Sequence, residues 1–257
     1  MIDYHTHSIY SDGKSTYEDI VNAAIAKGLT EVGLSDHLCI HFPNWAVKEG
    51  NFSNLISDIQ NLKEKNDLPI KIKFGLEVDY IEGKENEIKN LICLFPVDYI
   101  IGSVHYVEDW NFDTNLLDFK TADIDSFYHN YFRLVQQASR SRLFDIIGHA
   151  DLAKKFNYYP SFNLEKYYEN TAMVFSKTDM VVELNTSGKD KLCNEFYPSN
   201  QFIKYCFEYN VPFTLGSDSH SHNEIARYYE EALNKLKEIG YRKLAVFNKR
   251  KRSYLTI

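Results

Sequence analysis

Short apolar runs rich in Val, Ile, Phe and Tyr alternate along this chain with longer segments whose apolar residues recur every three or four positions. Runs of the first kind, bounded by turn residues, read as buried strands, and the second period reads as helix. Regular alternation of the two predicts a parallel sheet joined by crossover helices. Seven runs qualify, at 1–4, 31–34, 70–76, 97–103, 145–148, 180–184 and 212–216. After the first of them, Ser15 with Glu18 reads as a capping box, Ile20, Ala23, Ala24 and Leu29 share one helical face, and Gly28 supplies the stop. Further helices are expected at 52–65, 85–94, 122–142, 163–177, 199–209 and 223–239, with Asn163 and Ser199 in N-cap positions. The stretch 241–248 closes the chain as a helix or a strand.

Seven strand-helix units in 257 residues close most economically into a distorted (β/α)7 barrel of the TIM type, forming a single domain over 1–257. An open doubly wound sheet is the alternative. Both architectures place chemistry beyond the C-terminal ends of the strands, so the residues following each run carry the next inference. They are His5 and His7, then Asp36 and His37, Glu77, His105, His149, Glu183, and Asp218 with His220. Six of the nine histidines thus fall at strand ends, where imidazole and carboxylate together suit Zn, Mn, Fe or Co. In the H-T-H of residues 5–7 the two imidazoles point to the same side of a strand and can clasp one ion. Glu77 follows Gly75, which permits close approach of backbone or ligand, and a carboxylate can bridge two ions.

Composition narrows the choice of partner. A net charge of −7 repels polyanions, which favours a small phosphorylated metabolite over nucleic acid. The one dense basic run, Lys249 to Arg252, reads as a solvated tail. Cys39, Cys93, Cys193 and Cys206 are scattered and form no thiolate metal site. No run approaches the roughly 18 apolar residues of a membrane span, and the cytoplasm is the expected location.

The chain resembles the polymerase and histidinol phosphatase (PHP) superfamily. D-Y-H-T-H-S with S-D-G (3–13), L-S-D-H (34–37), G-L-E-V-D-Y (75–80), G-S-V-H (102–105), I-G-H-A-D (147–151) and L-G-S-D-S-H (215–220) carry the likeness. It implies a trinuclear site holding two or three divalent ions (Zn, Mn or Fe). His5, His7, Glu77 and Asp218 would hold the first, Glu77, His105 and His149 the second, and Asp12, His37 and His220 the third. Asp36 and Asp151 would orient imidazoles. It also implies metal-assisted phosphoester hydrolysis, with Glu77 bridging ions and Asp218 or His220 assisting the leaving group. Within the superfamily, length and the stretch from G-H-A-D-L through V-E-L-N-T-S-G are most similar to stand-alone histidinol-phosphate phosphatases of histidine biosynthesis, which cleave L-histidinol phosphate. Basic residues after the fifth and sixth strands are then expected on the phosphate: Lys154, Lys155, Lys189 and Lys191, with Lys155 preferred. S-G-K-D-K departs from the pattern by carrying lysines and Asp190 where arginine is expected. The 38–50 loop, with His41, Phe42 and Trp45, could cover a substrate imidazole, while His129 and His222 read as structural. The rival functions are a nuclease or broad phosphoesterase, and a non-catalytic accessory module.

Overall fold

The computed structural model describes residues 1–65, 68–114 and 116–257. All seven expected strands are present and parallel, in sequential order: β1 Ile2–Asp3, β2 Glu31–Leu34, β3 Lys71–Asp79, β4 Tyr99–Ser103, β5 Ile146–Ile147, β6 Val181–Asn185 and β7 Phe213–Gly216. A short strand, His37–Leu38, prolongs β2 and pairs with β3. The sheet curls until its edges meet, the Tyr4 N–H donating to Leu215 O at 3.0 Å and Thr6 bridging Ser219 in parallel register. The result is a nearly closed barrel, as expected from the alternation of elements.

Helices α1 Tyr17–Ala26, α2 Phe52–Lys63, α3 Glu85–Ile92, α4 Ile124–Ser141, α5 Glu165–Thr178, α6 Asn200–Glu208 and α7 Tyr229–Ile239 pack outside it. No helix among the described residues is long and apolar enough to cross a membrane. In α1 the capping box lies one residue later than expected. Thr16 Oγ1 accepts the Asp19 N–H and Asp19 Oδ2 accepts the Thr16 N–H, because Ser15 Oγ is taken by the His222 N–H at 2.9 Å. The N-cap of α5 is Leu164 rather than Asn163, whose side chain instead accepts the Glu165 N–H in a local turn. Ser199 holds the N-cap position of α6, but its N–H donates to Asp151 and its hydroxyl caps nothing. The last helix begins at Tyr229, not near 223, since Ala226 and Tyr228 adopt positive φ (55° and 58°) and break the helical path.

Inside the barrel the Tyr4 and Tyr99 rings stack at 4.7 Å, and Phe247 joins them at 6.3–6.5 Å. Gly75 serves this stack: a Cβ there would lie 2.2 Å from the Tyr99 ring, and one on Gly33 would lie 1.8 Å from its hydroxyl. The glycine thus makes room for a core ring. Phe247 belongs to β8, Lys243–Asn248, which forms an antiparallel hairpin with β9, Lys251–Thr256. The basic run at the turn and start of β9, read above as a solvated tail, is instead a clasp across the N-terminal ends of three strands. The Lys249 N–H donates to Asp98, Arg250 pairs with Asp145 at 2.8 Å, and Arg252 pairs with Asp179 at 2.7 Å.

Asp98 is the best-buried acid in this clasp, 2% exposed, and also accepts from Lys63 Nζ at 2.6 Å and the Phe74 N–H at 2.9 Å. Burial alone raises a carboxyl pKa, but these donors outweigh it and hold Asp98 below the usual carboxylate range. A depressed native pKa stabilises the fold above the unfolded value of about 4, and that contribution fades as the pH falls through the native value. Asp98→Asn is therefore expected to cost about 2 kcal/mol at neutral pH and to flatten the acid limb of stability, both readable from urea melts between about pH 3 and 7. Equal acid sensitivity in variant and wild type would contradict this assignment.

Candidate metal centre

The strand-end residues converge on the C-terminal mouth of the barrel. Glu77, near the end of β3, sits at the centre: Oε1 accepts the Ser103 hydroxyl at 2.6 Å and lies 2.8 Å from His149 Nε2. Its Oε2 lies 2.7 Å from His37 Nδ1, 3.2 Å from His5 Nε2 and 3.6 Å from His7 Nε2. Asp218 Oδ1 is 3.3 Å from His7 Nε2. Asp12 Oδ1 is 3.3 Å from His220 Nε2 and 3.5 Å from His37 Nε2. Among the described residues, four overlapping groups have donor atoms within 4.8 Å of one another: His5 with His7 and Asp218, His5 with Glu77 and His149, His37 with Glu77 and His105, and His7 with Asp12, His37 and His220. All nine expected ligands fall in these groups, but the partition differs from the expected sets, since His149 groups with His5 and His105 with His37, and His5, His7, His37 and Glu77 each belong to two groups.

The chemistry of this donor set fits bound cations. His5 Nε2, both His7 nitrogens, His37 Nδ1 and Glu77 Oε2 are buried without a hydrogen-bond partner among the described residues although they crowd the same space. Such orphans are costly unless a cation accepts their lone pairs. Surrounding carboxylates set the tautomers. His5 Nδ1 donates to Glu183 at 2.6 Å and His105 Nδ1 to Asp79 at 2.9 Å, leaving each Nε2 facing the centre. Electrostatics follow the same plan. Burial raises the pKa of Glu77 and Asp218, yet the neighbouring imidazoles, His5 foremost, hold both well below the usual range. Burial opposes charge on His105, but Asp79 lifts it to about 10. Burial, reinforced by His37 and His220, pushes His7 down to about 3. His149 and Asp218 have φ of 21° and 51°, strained backbone that aims both side chains inward.

Asp36 and Asp151 do not orient imidazoles. Asp36 accepts from Ser8, Ser11 and Tyr17 and so shapes the 8–17 loop that presents Asp12. Asp151 pairs with Lys154 at 3.0 Å. The orienting carboxylates are Glu183 and Asp79, and Asp79 was detectable as the second acid of E-V-D, two residues on and on the same strand face as Glu77.

Above the donors opens a cavity of about 340 Å³. Lys155 and Lys191 line it. Lys154 does not: a single 3-10 turn at Leu152–Lys154 directs its side chain, 1% exposed, to Glu195 at 2.8 Å and Phe196 O at 2.8 Å. Lys189 turns outward to Glu231 at 3.0 Å. His41 is exposed and outside the lining, whereas Trp45 stands edge-on to His37, ring centroids 5.0 Å apart. His129 stacks on Phe162 away from the mouth. The lining also includes Arg227, Asp113 and Glu224, none foreseen. Arg227 donates to the carbonyls of Ser217 and Asp218 and pairs with Asp190 at 3.0 Å, so a guanidinium from the seventh loop stands beside the acid of the sixth. The sequence pattern points to cations after the fifth and sixth strands, whereas Arg227 lies seven residues beyond His220, after the seventh.

A profile described as "PHP domain" matches residues 3–187. The "probable histidinol-phosphatase" of Deinococcus radiodurans is 30% identical over 249 residues, spanning 94% of this chain and 95% of that protein. The histidinol-phosphatase of Lactococcus lactis is 26% identical over 266 residues, spanning 96% and 94%. The crystal structure of histidinol phosphate phosphatase from Lactococcus lactis, complexed with Zn, L-histidinol and phosphate, has the same fold, with a TM-score of 0.82 at 23% identity over 98% of each chain. A putative histidinol phosphatase from Listeria monocytogenes superposes equally well, at 21% identity over 90% of this chain and 99% of its own. The profile spans most of the chain and carries the donors from His5 to His149, and the Deinococcus relative aligns almost end to end: the chain belongs to the PHP domain family.

Proposed function

We propose that this protein is a metal-dependent phosphomonoester hydrolase that cleaves L-histidinol phosphate to L-histidinol and phosphate. The observation that carries the proposal is the set of buried, unpaired donors around Glu77 opening directly into a cavity that Lys155, Lys191 and Arg227 also line. Full-length relatives named as histidinol-phosphatases supply the substrate. The ligand assignment is His5, His7, Glu77 and Asp218 for one ion, Glu77, His105 and His149 for a second, and Asp12, His37 and His220 for a third, with Zn, Mn or Fe matching the donor chemistry. Bound there, divalent cations supply Lewis-acid neutralisation of phosphate charge and a lowered pKa for water.

The chain's own groups do the rest. Glu183 and Asp79 fix two imidazoles before substrate arrives, so that binding requires no reorganisation of those ligands. Lys155, Lys191 and Arg227 bring positive charge to the phosphate end of the cavity. Asp218 Oδ2 is held by Asn185 and Ser187, which leaves Oδ1, with His220, on the leaving-group side. Trp45 walls off His37 and His105 from solvent and offers a ring to the substrate's imidazole.

Steady-state assays test the substrate. After chelation and reconstitution with Zn, Mn or Fe, L-histidinol phosphate is expected to exceed both p-nitrophenyl phosphate and a dinucleotide by at least about tenfold in kcat/KM, roughly 1.4 kcal/mol of transition-state discrimination. Equal or better turnover of the dinucleotide would replace this reading with a nuclease.

A further inference from the structure

The described lining of the cavity contains five carboxylates. Asp12, Glu77 and Asp218 belong to the donor groups, and Glu224 is engaged by the His220 N–H at 2.9 Å and by Arg227 at 3.4 Å. Asp113 is different. It follows a two-stranded ribbon, Tyr106–Val107 with Trp110–Asn111, that rises from the end of β4, and an Asn111 side chain accepting its N–H at 3.1 Å fixes its backbone. Lys155 Nζ donates to Asp113 Oδ1 at 2.6 Å and to Asp113 O at 2.9 Å. Among the described residues nothing donates to Oδ2, and the side chain is 29% exposed at the cavity wall.

We infer that Asp113 is the specificity-determining residue for the leaving group, its free Oδ2 accepting a hydrogen bond from an ammonium carried beside the phosphoester. The inference rests on the phosphatase reading above and deepens it. In L-histidinol phosphate the ester oxygen and the ammonium are borne by adjacent carbons, so the two charges lie only a few bond lengths apart. Lys155 is a single cation shared between the phosphate end of the cavity and Asp113, and it places a carboxylate at a matching short separation. The order anion, lysine, carboxylate, ammonium alternates in sign throughout. An ion pair of this exposure adds little stability by itself, whereas a charge-assisted hydrogen bond to a bound ammonium is among the stronger polar contacts. The same carboxylate discriminates against phosphomonoesters with an uncharged alcohol, because it then faces phosphate with no cation between them except Lys155.

The test compares L-histidinol phosphate with the analogue in which hydrogen replaces the amino group, using metal-loaded wild type, Asp113→Asn and Asp113→Glu of wild-type thermal stability. The wild type is expected to prefer the amine by at least about tenfold in kcat/KM. Asp113→Asn is expected to lose most of that ratio and Asp113→Glu to retain part of it. L-Histidinol as a product inhibitor is expected to weaken at least about tenfold in Asp113→Asn, while inhibition by inorganic phosphate does not weaken. A wild-type ratio preserved in Asp113→Asn, or a parallel loss on both substrates with L-histidinol inhibition intact, overturns the role of Asp113 and leaves the phosphatase reading standing. A wild type that favours p-nitrophenyl phosphate over L-histidinol phosphate overturns both.

Discussion

Glu77→Gln is expected to fold normally and to lose at least about a thousandfold in kcat/KM, close to 4 kcal/mol of transition-state stabilisation. The carboxamide preserves volume in a site 1% exposed, and Ser103 retains an acceptor on the oxygen. What disappears is the negative charge against which His5, His37, His105 and His149 are arranged. The new NH2 group also points protons at imidazole lone pairs now free to coordinate. A residue shared by two of the four donor groups cannot be compensated by one neighbour. Circular dichroism, metal content and steady-state rates on the purified variant provide the check; turnover near that of wild type would remove Glu77 from the centre of the site.

Lys154→Met is expected to be the most destabilising of these changes and to leave kcat/KM within about threefold of wild type. Lys154 is buried against Asp151, Glu195 and the Phe196 carbonyl. Methionine fills the space but strands Asp151, itself 2% exposed, with no countercharge. Breaking a buried pair from one side costs about 3–5 kcal/mol, and for a chain of this size that lowers Tm by about 10 °C. Burial already raises the Asp151 pKa against the opposing pull of Lys154. Without the lysine it rises further, and a group whose native pKa is elevated stabilises the protonated, low-pH form and loses that contribution as pH rises. The deficit should therefore widen as the pH rises above the unfolded carboxyl value of about 4. Thermal melts across that range separate this structural role from phosphate binding, which would instead appear as a raised KM at unchanged Tm.

The contrast between these two residues marks what was readable from sequence. Glu77 was legible because a β-strand has only two faces and the barrel turns one end of every strand to the same mouth, so apolar runs ending in His, Asp or Glu locate the donors by arithmetic alone. Lys154 and Lys155 are adjacent in sequence and were given the same role. Only the roughly 120° step between successive residues of a 3-10 turn sends one into the core and the other into the cavity. Arg227 reaches the mouth because the backbone at Ala226 and Tyr228 is left-handed, a conformation that these residue types do not announce. Asp113 likewise sits on an irregular loop with no period to read. The C-terminal clasp was missed for another reason: its arginines find acids at the starts of strands far away in sequence, and a basic run looks the same whether its partners are water or Asp145 and Asp179.

The floor of Tyr4, Tyr99 and Phe247 has a consequence for traffic. A vessel stoppered at one end has a single doorway, and whatever lies deepest departs last. In the proposed phosphatase, an anion seated over the donor groups around Glu77 and an alcohol toward Trp45 and Asp113 would leave in sequence, the alcohol first and the anion through the space it vacates. On that order, inorganic phosphate is the product expected to meet the unfilled enzyme and to rival the next substrate for it.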